Sequence, residues 1–412
     1  MRILYYDWDE FNGEDCRDAM TRLGHEVETV QLDQLGGDLT PQIEQEFKCR
    51  FDRTDDTGKR YFDLVYSFDY FPSISQVCQK YDMPYVSWVF DCPHYPLFSP
   101  SIHNKVNRIF VFDRDLYKKL KDRGVQTVHH CPLAVNAKRL SELCKRLDDV
   151  NAVETGKGTA EEIGALNGRE IAYLHDVCFL GSLYDNEFNF YDQWTGIPPE
   201  IKEYLEQVIQ SQEKVFGYDL FSDDRVLSDS DIERIRNFIN IEDTGRYRID
   251  YSDVIRDIFR KKVTVNERRN ILTEMGKRFD TVVYTNPDAA PIPNVNNLGV
   301  VSYTDKMPEI FRRSKINLNI SLRCITSGVS LRVMDVLAAG GFLLTTYTSE
   351  IAEYFQDGVD LAIARTPEEM YAKAEYYLEH EEERKEIAIN GQRKVFEKFA
   401  YTKLLPRVLE YN

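Results

Sequence analysis

Short apolar runs and helical stretches alternate through the first third of the chain: RILYYD, a helix from Glu14 to Leu23, VETVQL, a helix after Thr40-Pro41, DLVYSF, a helix near Ser75 to Tyr81, YVSWVF, RIFVF and VQTVHH. Apolar strands separated by helices pack as a parallel sheet with helices on its faces, so this pattern predicts a doubly wound α/β domain. Such a sheet binds ligands at the C-terminal edges of its strands. Three of those edges carry acidic or imidazole groups: Asp7 and Asp9 after RILYYD, Asp69 after DLVYSF, and Asp91 with His94 after YVSWVF. They are expected to converge on one crevice.

CPLAVN (Cys131 to Asn136) ends this run, which bounds a first domain at 1–136. The following 137–170 segment contains KRLSELCKRLDDVNAVETGKGTAEEIG, charged, Gly-containing and strand-poor, and reads as a linker. A second strand-helix series begins at DVCFLGSLY and resumes with TVVYTN, GVVSY, INLNIS, FLLTT and LAIA, giving a second domain at 171–395. Between about 185 and 270 it carries a helical insertion of three amphipathic stretches, each opened by Pro, Ser or Asp. Structural support is the plainer role for it; contact with a substrate or partner is the alternative. TPEEM, from Thr366, offers a capping box with Pro at the first helical position, and the chain is helical from there to its end.

A length of 412 residues exceeds what one core normally supports, in keeping with two domains. No stretch approaches the roughly 20 apolar residues of a membrane helix, and MRILYYDWDE lacks the layout of a signal peptide, so a cytoplasmic location is expected. Eight cysteines without C-x-x-C spacing read as reduced core residues. A net charge of -17 repels phosphate backbones and argues against nucleic acid as a partner. An anionic ligand must therefore be met by a local pocket.

One candidate pocket lies in SGVSLRVMDVLAAGGFLLTT, Ser327 to Thr346. Val329, Val333, Val336 and Leu337 share one helical face, with Arg332 and Asp335 at its edge, and Gly340 ends the helix before a buried strand. The mouth of this helix, around Ser327, Gly328, Val329 and Ser330, offers free N–H groups and a positive dipole end to an anion. Other motifs are weaker. DWD at Asp7 to Asp9 has the Asp-x-Asp form that holds a divalent metal in some sugar transferases, but it ends the first strand, and no metal is expected. ETGKGT lacks phosphate-loop spacing, and no G-x-G-x-x-G follows RILYYD, so the dinucleotide signal is missing. His129 and His130 are adjacent on a strand, point to opposite faces and cannot share one metal. In FDCPHYP, Asp91 and His94 form a pair able to abstract a proton near neutral pH, while a histidine merely bonded to backbone is the alternative.

Several of these segments together resemble the spore-maturation CgeB-like branch of the bacterial group 1 glycosyltransferases: YFPSISQVCQKYDMPYVSWVFDCP, CPLAVN, DVCFLGSLYD, GVVSYTDKMPEIFRRSKINLNIS, SGVSLRVMDVLAAGGFLLTTY and YYLEHEEERKEIAINGQRKVFEKFAYTK. The resemblance implies the GT-B fold, two Rossmann-like domains facing across a cleft, with 396–412 as a helix returning toward the first domain. It implies a donor that is a nucleotide diphosphate sugar such as a UDP-, dTDP- or GDP-sugar, no cofactor, and reaction without metal. The acceptor, a glycan, a protein or a small molecule, is left open. Related transferases place a glutamate at the helix mouth and another eight residues on, for sugar and ribose; Ser327 and Asp335 stand there in this chain. Eight residues of helix rise about 12 Å, comparable with the span from sugar to ribose.

For the leaving diphosphate, Arg332 is the first candidate and Arg323 the second, with Gly181 and Ser182 letting backbone approach the phosphates. Backbone near Val301 to Tyr303 is placed against the base. Asp91 or His94 is expected to deprotonate the acceptor, with Asp7 and Asp9 behind them. Two rivals remain, a noncatalytic nucleotide-sugar-binding module and a nucleotide-sugar epimerase.

Overall fold

The computed structural model describes residues 1–32, 39–154, 172–186, 189–239 and 250–410. Six strands, β1 (Arg2–Tyr6), β2 (Glu26–Val30), β3 (Leu64–Phe68), β4 (Tyr85–Val89), β5 (Asn107–Val111) and β6 (Val128–His130), form a parallel sheet in the order β2-β1-β3-β4-β5-β6. Every residue of β3 and β4 is buried, which is why they read as unbroken apolar runs. Helices α1 (Gly13–Arg22), α2 (Pro41–Phe51), α3 (Pro72–Lys80) and α4 (Arg114–Asp122) alternate with them. The start of α2 follows from its sequence: Pro41 sits in the first turn, and the Thr40 hydroxyl accepts the Ile43 N–H at 3.3 Å.

The segment read as a linker opens instead with an 18-residue helix, α5 (Ala137–Glu154). Its Leu140, Leu143 and Cys144 are buried, and its Asp148 takes both arms of Arg312 at 2.7 and 2.8 Å. Most of the charges that made it look like a linker lie on its exposed face, while Asp148 is buried against Arg312. The ETGKGT motif falls at 154–159, almost wholly outside the described residues.

The second sheet contains β7 (His175–Leu180), β8 (Thr281–Tyr284), β9 (Val295–Asn297), β10 (Ser314–Asn319), β11 (Leu343–Thr346) and β12 (Ala362–Ala364), all parallel, in the order β12-β11-β10-β7-β8-β9. GVVSY, expected as a strand, is not one. The edge strand ends before it; Gly299 turns the chain away at φ +80, leaving Val300 73% exposed. Nine further helices are described: α6 (Pro199–Gln212), α7 (Asp229–Arg236), α8 (Tyr251–Arg278), α9 (Lys306–Arg312), α10 (Leu331–Ala338), α11 (Ser349–Tyr354), α12 (Pro367–Glu379), α13 (Glu381–Lys398) and α14 (Tyr401–Leu409). Helices α6, α7 and the first half of α8 enclose a small core of their own around Leu205, Phe221, Ile232 and Phe259. The second half of α8 joins the core of the sheet through Ile271, Leu272 and Met275.

The chain thus builds two doubly wound α/β domains, as expected of GT-B architecture. Helix α14 packs Tyr401, Leu405 and Val408 onto Tyr66, Trp88 and Phe110 of the first sheet. The two segments that cross between domains are bonded to each other, Val135 N–H to Phe399 O at 3.0 Å and Tyr401 N–H to Val135 O at 2.9 Å. Strand order reverses between β1 and β3 in one sheet and between β7 and β10 in the other, and crevices for ligands open at such reversals. Among the described residues, no helix is long and apolar enough to cross a membrane.

Candidate active site in the interdomain cleft

Of the three strand edges expected to converge, those after β3 and β4 bring Asp69, Asp91 and His94 together. Asp69, at φ 55 just past β3, is 2% exposed, and its Oδ1 accepts the N–H groups of Phe90 and Asp91 at 3.0 and 3.2 Å. The carboxylates of Asp69 and Asp91 lie within 4.8 Å of each other. Burial pushes the Asp69 carboxyl up to about 7. Burial, then the neighbouring Asp69 charge, raises Asp91 to about 6, while His94 pulls it down. Like charges this close favour sharing one proton. His94 is lowered by burial, and its Nε2 meets Tyr70 O at 3.0 Å and Tyr70 N at 3.2 Å.

Asp69, Asp91 and His94 also form, among the described residues, a group whose ligand atoms lie within 4.8 Å of one another. Two backbone N–H bonds to Asp69 and the backbone bonds of His94 already use part of that donor set. Asp7 is elsewhere engaged, its Oδ2 bonded to Arg17 at 2.9 Å and its Oδ1 to the Asp9 N–H at 2.9 Å. Trp8 closes the floor, stacked on Phe90 at 5.9 Å, and Phe11 reaches across to Tyr303 of the other domain at 4.7 Å.

On the second sheet the helix mouth differs from expectation. The N–H groups of Thr326, Ser327 and Gly328 converge at 2.9, 3.0 and 3.0 Å on one carboxylate oxygen of Asp113, which belongs to the first domain. The other oxygen caps α4, accepting the N–H groups of Asp115 and Leu116 at 2.9 and 3.0 Å, and takes the Ser327 hydroxyl at 3.0 Å. Ser327 and Gly328 therefore hold a carboxylate from across the cleft in the place expected for a phosphate. The physical reason is reach: Gly328 lets Asp113 approach so closely that a Cβ there would lie 3.0 Å from the Asp113 Cα. Behind this nest, the buried carboxylate of Glu350 meets Ser327 Oγ at 2.9 Å, Arg114 N at 2.8 Å and His130 Nε2 at 2.8 Å. These bonds hold Glu350 below its ordinary range against the opposing effect of burial. Val329 is a core residue, 2% exposed.

Arg323 does not face a free anion site. Its guanidinium is bound to Glu267, whose side chain is 1% exposed, and to Val215 O at 2.9 Å. A buried glutamate needs that cation, so its role is structural. Arg332 stays closer to the expected role: its side chain is 27% exposed and lies 3.5 Å from Asp335. Asp335 is buried and pushed up to about 6, chiefly by burial, with Arg332 and the Tyr303 hydroxyl opposing. That hydroxyl donates to Asp335 Oδ1 at 2.9 Å. Tyr303 thus contacts the residue assigned to the ribose, although the strand expected around it is absent. Gly181 and Ser182 follow β7 at the strand-order reversal; Gly181 N–H is bonded to Tyr284 O at 3.1 Å, and Ser182 is exposed.

Between the domains lies a cavity of about 780 Å³, lined by Cys92, Pro93 and His94, by α4, by the 321–326 loop and by the insertion from Gln212 to Arg260. The insertion is a cleft wall, a role the sequence left open. Seven aspartates and four basic residues line the cavity, so its field is negative on balance. Arg260 is bound there by Asp219 and Asp257. Asp113, Glu350 and Arg260 carried no sequence signal beyond ordinary capping or amphipathic positions.

Residues 257–410 match a family model described as glycosyl transferase-like. No curated protein sequence matches. Among solved structures, the chain is similar to Anabaena HepE in complex with UDP and glucose, with 12% identity, coverage of 100% of this chain and 98% of that one, and a TM-score of 0.48. It is also similar to a sucrose-phosphate synthase from Thermosynechococcus elongatus, at 10% identity, 100% and 97% coverage and a TM-score of 0.48. A glycosyltransferase from Rickettsia africae ESF-5 gives 10% identity, 99% and 97% coverage and 0.47.

Proposed function

We propose that the protein transfers a glycosyl group from a nucleotide diphosphate sugar to an acceptor bound in the cleft, without a metal. The observation that carries this reading is the glycosyl transferase-like match over residues 257–410, which includes α10 with Arg332 and Asp335. A cytoplasmic, bacterial protein of the CgeB-like branch is the finer reading, supported by the sequence segments that resemble that branch.

The donor is assigned to the reversal between β7 and β10. Backbone at Gly181 and Ser182 approaches the diphosphate, and the Arg332 guanidinium turns from Asp335 to the phosphate oxygens. The Asp335 carboxylate then accepts the ribose hydroxyls in place of the Tyr303 hydroxyl. Across the cleft, Asp91 takes the proton of the acceptor hydroxyl, with Asp69 and His94 setting its basicity. The acceptor oxygen bonds to the anomeric carbon as the bond from that carbon to the phosphate oxygen breaks. The nucleoside diphosphate leaves with the electron pair, its charge met by Arg332 and the backbone at Gly181 and Ser182. The negative cavity supports a neutral or cationic acceptor over an anionic one.

One observation favours the noncatalytic alternative: Ser327 replaces the mouth acid, and its hydroxyl and N–H are occupied by Asp113 and Glu350. The discriminating experiment incubates wild type and Asp91→Asn with UDP-, dTDP- and GDP-sugars and a panel of glycan, peptide and small-molecule acceptors. Acceptor-dependent release of nucleoside diphosphate, lost in Asp91→Asn, supports transfer. Binding without turnover supports the module, and product from donor alone supports the epimerase.

A further inference from the structure

Helix α8 reaches from one domain to the other. Its 28 residues, Tyr251–Arg278, rise about 42 Å. Ile271, Leu272 and Met275 root one end in the core of the second sheet, and Ile255 and Phe259 pack the other half against α6 and α7, so the insertion is an arm rooted in the second domain. The tip of the arm is the first turn of α8, which Asp250 caps by accepting the Ser252 N–H at 2.9 Å.

That tip meets α4 of the first domain through charge. Lys119 and Arg123 stand one turn apart on α4, and like charges so spaced repel each other. Asp253 lies between them: its Oδ1 is 2.5 Å from Lys119 Nζ, and its Oδ2 accepts from Arg123 Nη2 at 2.7 Å. The Asp253 side chain is 14% exposed, so water screens it only in part. Both cations also lie over the Phe98 ring, at 6.0 and 5.2 Å from its centre, which fixes them from the loop after β4. Phe98, Lys119 and Asp253 all line the cavity of about 780 Å³, so this ionic contact is part of its wall. Apolar burial roots the arm and salt leaves it in place, whereas an ion-paired tip is weakened by salt and released at small cost.

We propose that Asp253, clasped by Lys119 and Arg123, is the catch by which the helical insertion holds the cleft closed over the cavity, and that ligands gain entry when it releases. Removing the carboxylate deletes two ion pairs and leaves two cations facing each other, both of which favour the open cleft. The catch is independent of the donor and acceptor assignments.

The test reads opening through thiols inside the cavity and needs no substrate. Cys92 of the first domain donates its Sγ–H to Cys324 O of the second at 3.2 Å, and both residues line the cavity. Burial holds both thiols well above their ordinary range, so they react when the cleft opens to water. Full-length protein carrying Cys49→Ser, which removes an exposed thiol, is treated with N-ethylmaleimide under native conditions, and each cysteine is followed by peptide mass spectrometry. Asp253→Asn and Lys119→Gln are made in this parent, with Glu206→Gln removing an equal charge from α6 as the comparator. The expected result is labelling of Cys92 and Cys324 about three- to tenfold faster in Asp253→Asn and Lys119→Gln and unchanged in Glu206→Gln. Raising salt from about 0.05 to about 1 M should speed labelling of the parent, and of Asp253→Asn less. Cys16, Cys78 and Cys178, buried in the domain cores, should stay unlabelled, which separates opening from unfolding. Labelling of Cys92 and Cys324 within about twofold of the parent in both variants overturns the proposal. A gain shared by Glu206→Gln or by the core cysteines overturns it as well.

Discussion

Removing the Asp113 carboxylate should loosen the whole cleft, because one 1% exposed side chain serves both domains. Asp113→Ala strands three N–H groups of the 326–328 turn, previously bonded at 2.9 to 3.0 Å, and deletes the cap of α4. A lost cap costs about 1 kcal/mol, and each buried donor left unpaired about 1–3 kcal/mol. Water entering the cleft recovers part of that, so a net loss of about 3–5 kcal/mol is expected, in the range for breaking a buried charged contact. At about 2 °C per kcal/mol for a large chain, the unfolding midpoint should fall by about 6–10 °C. Asp113→Asn keeps one acceptor oxygen and should fall between Ala and wild type. Differential scanning calorimetry measures the shift, and small-angle scattering should show a larger radius of gyration as the domains part. A midpoint within about 2 °C of wild type would refute the view that this carboxylate fastens the cleft.

The acid pair sets a pH dependence of opposite sign to that of an ordinary carboxylate. Asp69 rises from 3.8 unfolded to about 7 folded, so the native state binds the proton more tightly and stability declines as pH climbs between those values; Asp69→Asn should stabilise the protein at pH 8 relative to wild type, less so at pH 5, by thermal denaturation. Asp91→Asn should lower turnover about 10²- to 10⁴-fold, and the wild-type rate should rise with pH through about 6 to 7 as the Asp69–Asp91 pair loses its proton, read from a pH–rate profile. Arg323→Ala should destabilise by about 3–5 kcal/mol by leaving Glu267 buried and alone, whereas an Arg323→Ala, Glu267→Gln double variant should recover much of the loss; no recovery in denaturant titration would contradict the structural role. Chelation with EDTA should leave turnover unchanged, and loss restored by a divalent ion would assign Asp69, Asp91 and His94 to a metal instead.

The two sheets were legible because strands buried on both faces leave continuous apolar runs, as in β3 and β4. The edge strand β9 was not: Asn296 and Asn297 are exposed and polar, while the more apolar Val300 and Val301 lie beyond the turn. Helix α5 was hidden by its charged face, although Leu140, Leu143 and Cys144 carry helical spacing. At the candidate site, the carboxylates and histidine after β3 and β4 could be read because parallel strands bring their ends together. Asp113 could not. As a sequence feature it is one more helix cap, and its second role depends on meeting residues more than 200 positions away across a domain boundary. The same holds for Arg323, whose cationic charge suggested phosphate until Glu267 was found beside it.

In the proposed function, the α10 segment binds a nucleotide diphosphate sugar through Asp335. Calorimetry with UDP, dTDP and GDP and their sugars, with and without a divalent metal, on wild type and Asp335→Ala, tests it most directly. The expected result is selective binding of one nucleotide, independent of metal and weakened about tenfold or more by Asp335→Ala. Absence of binding by every nucleotide, or equal binding by Asp335→Ala, would contradict it.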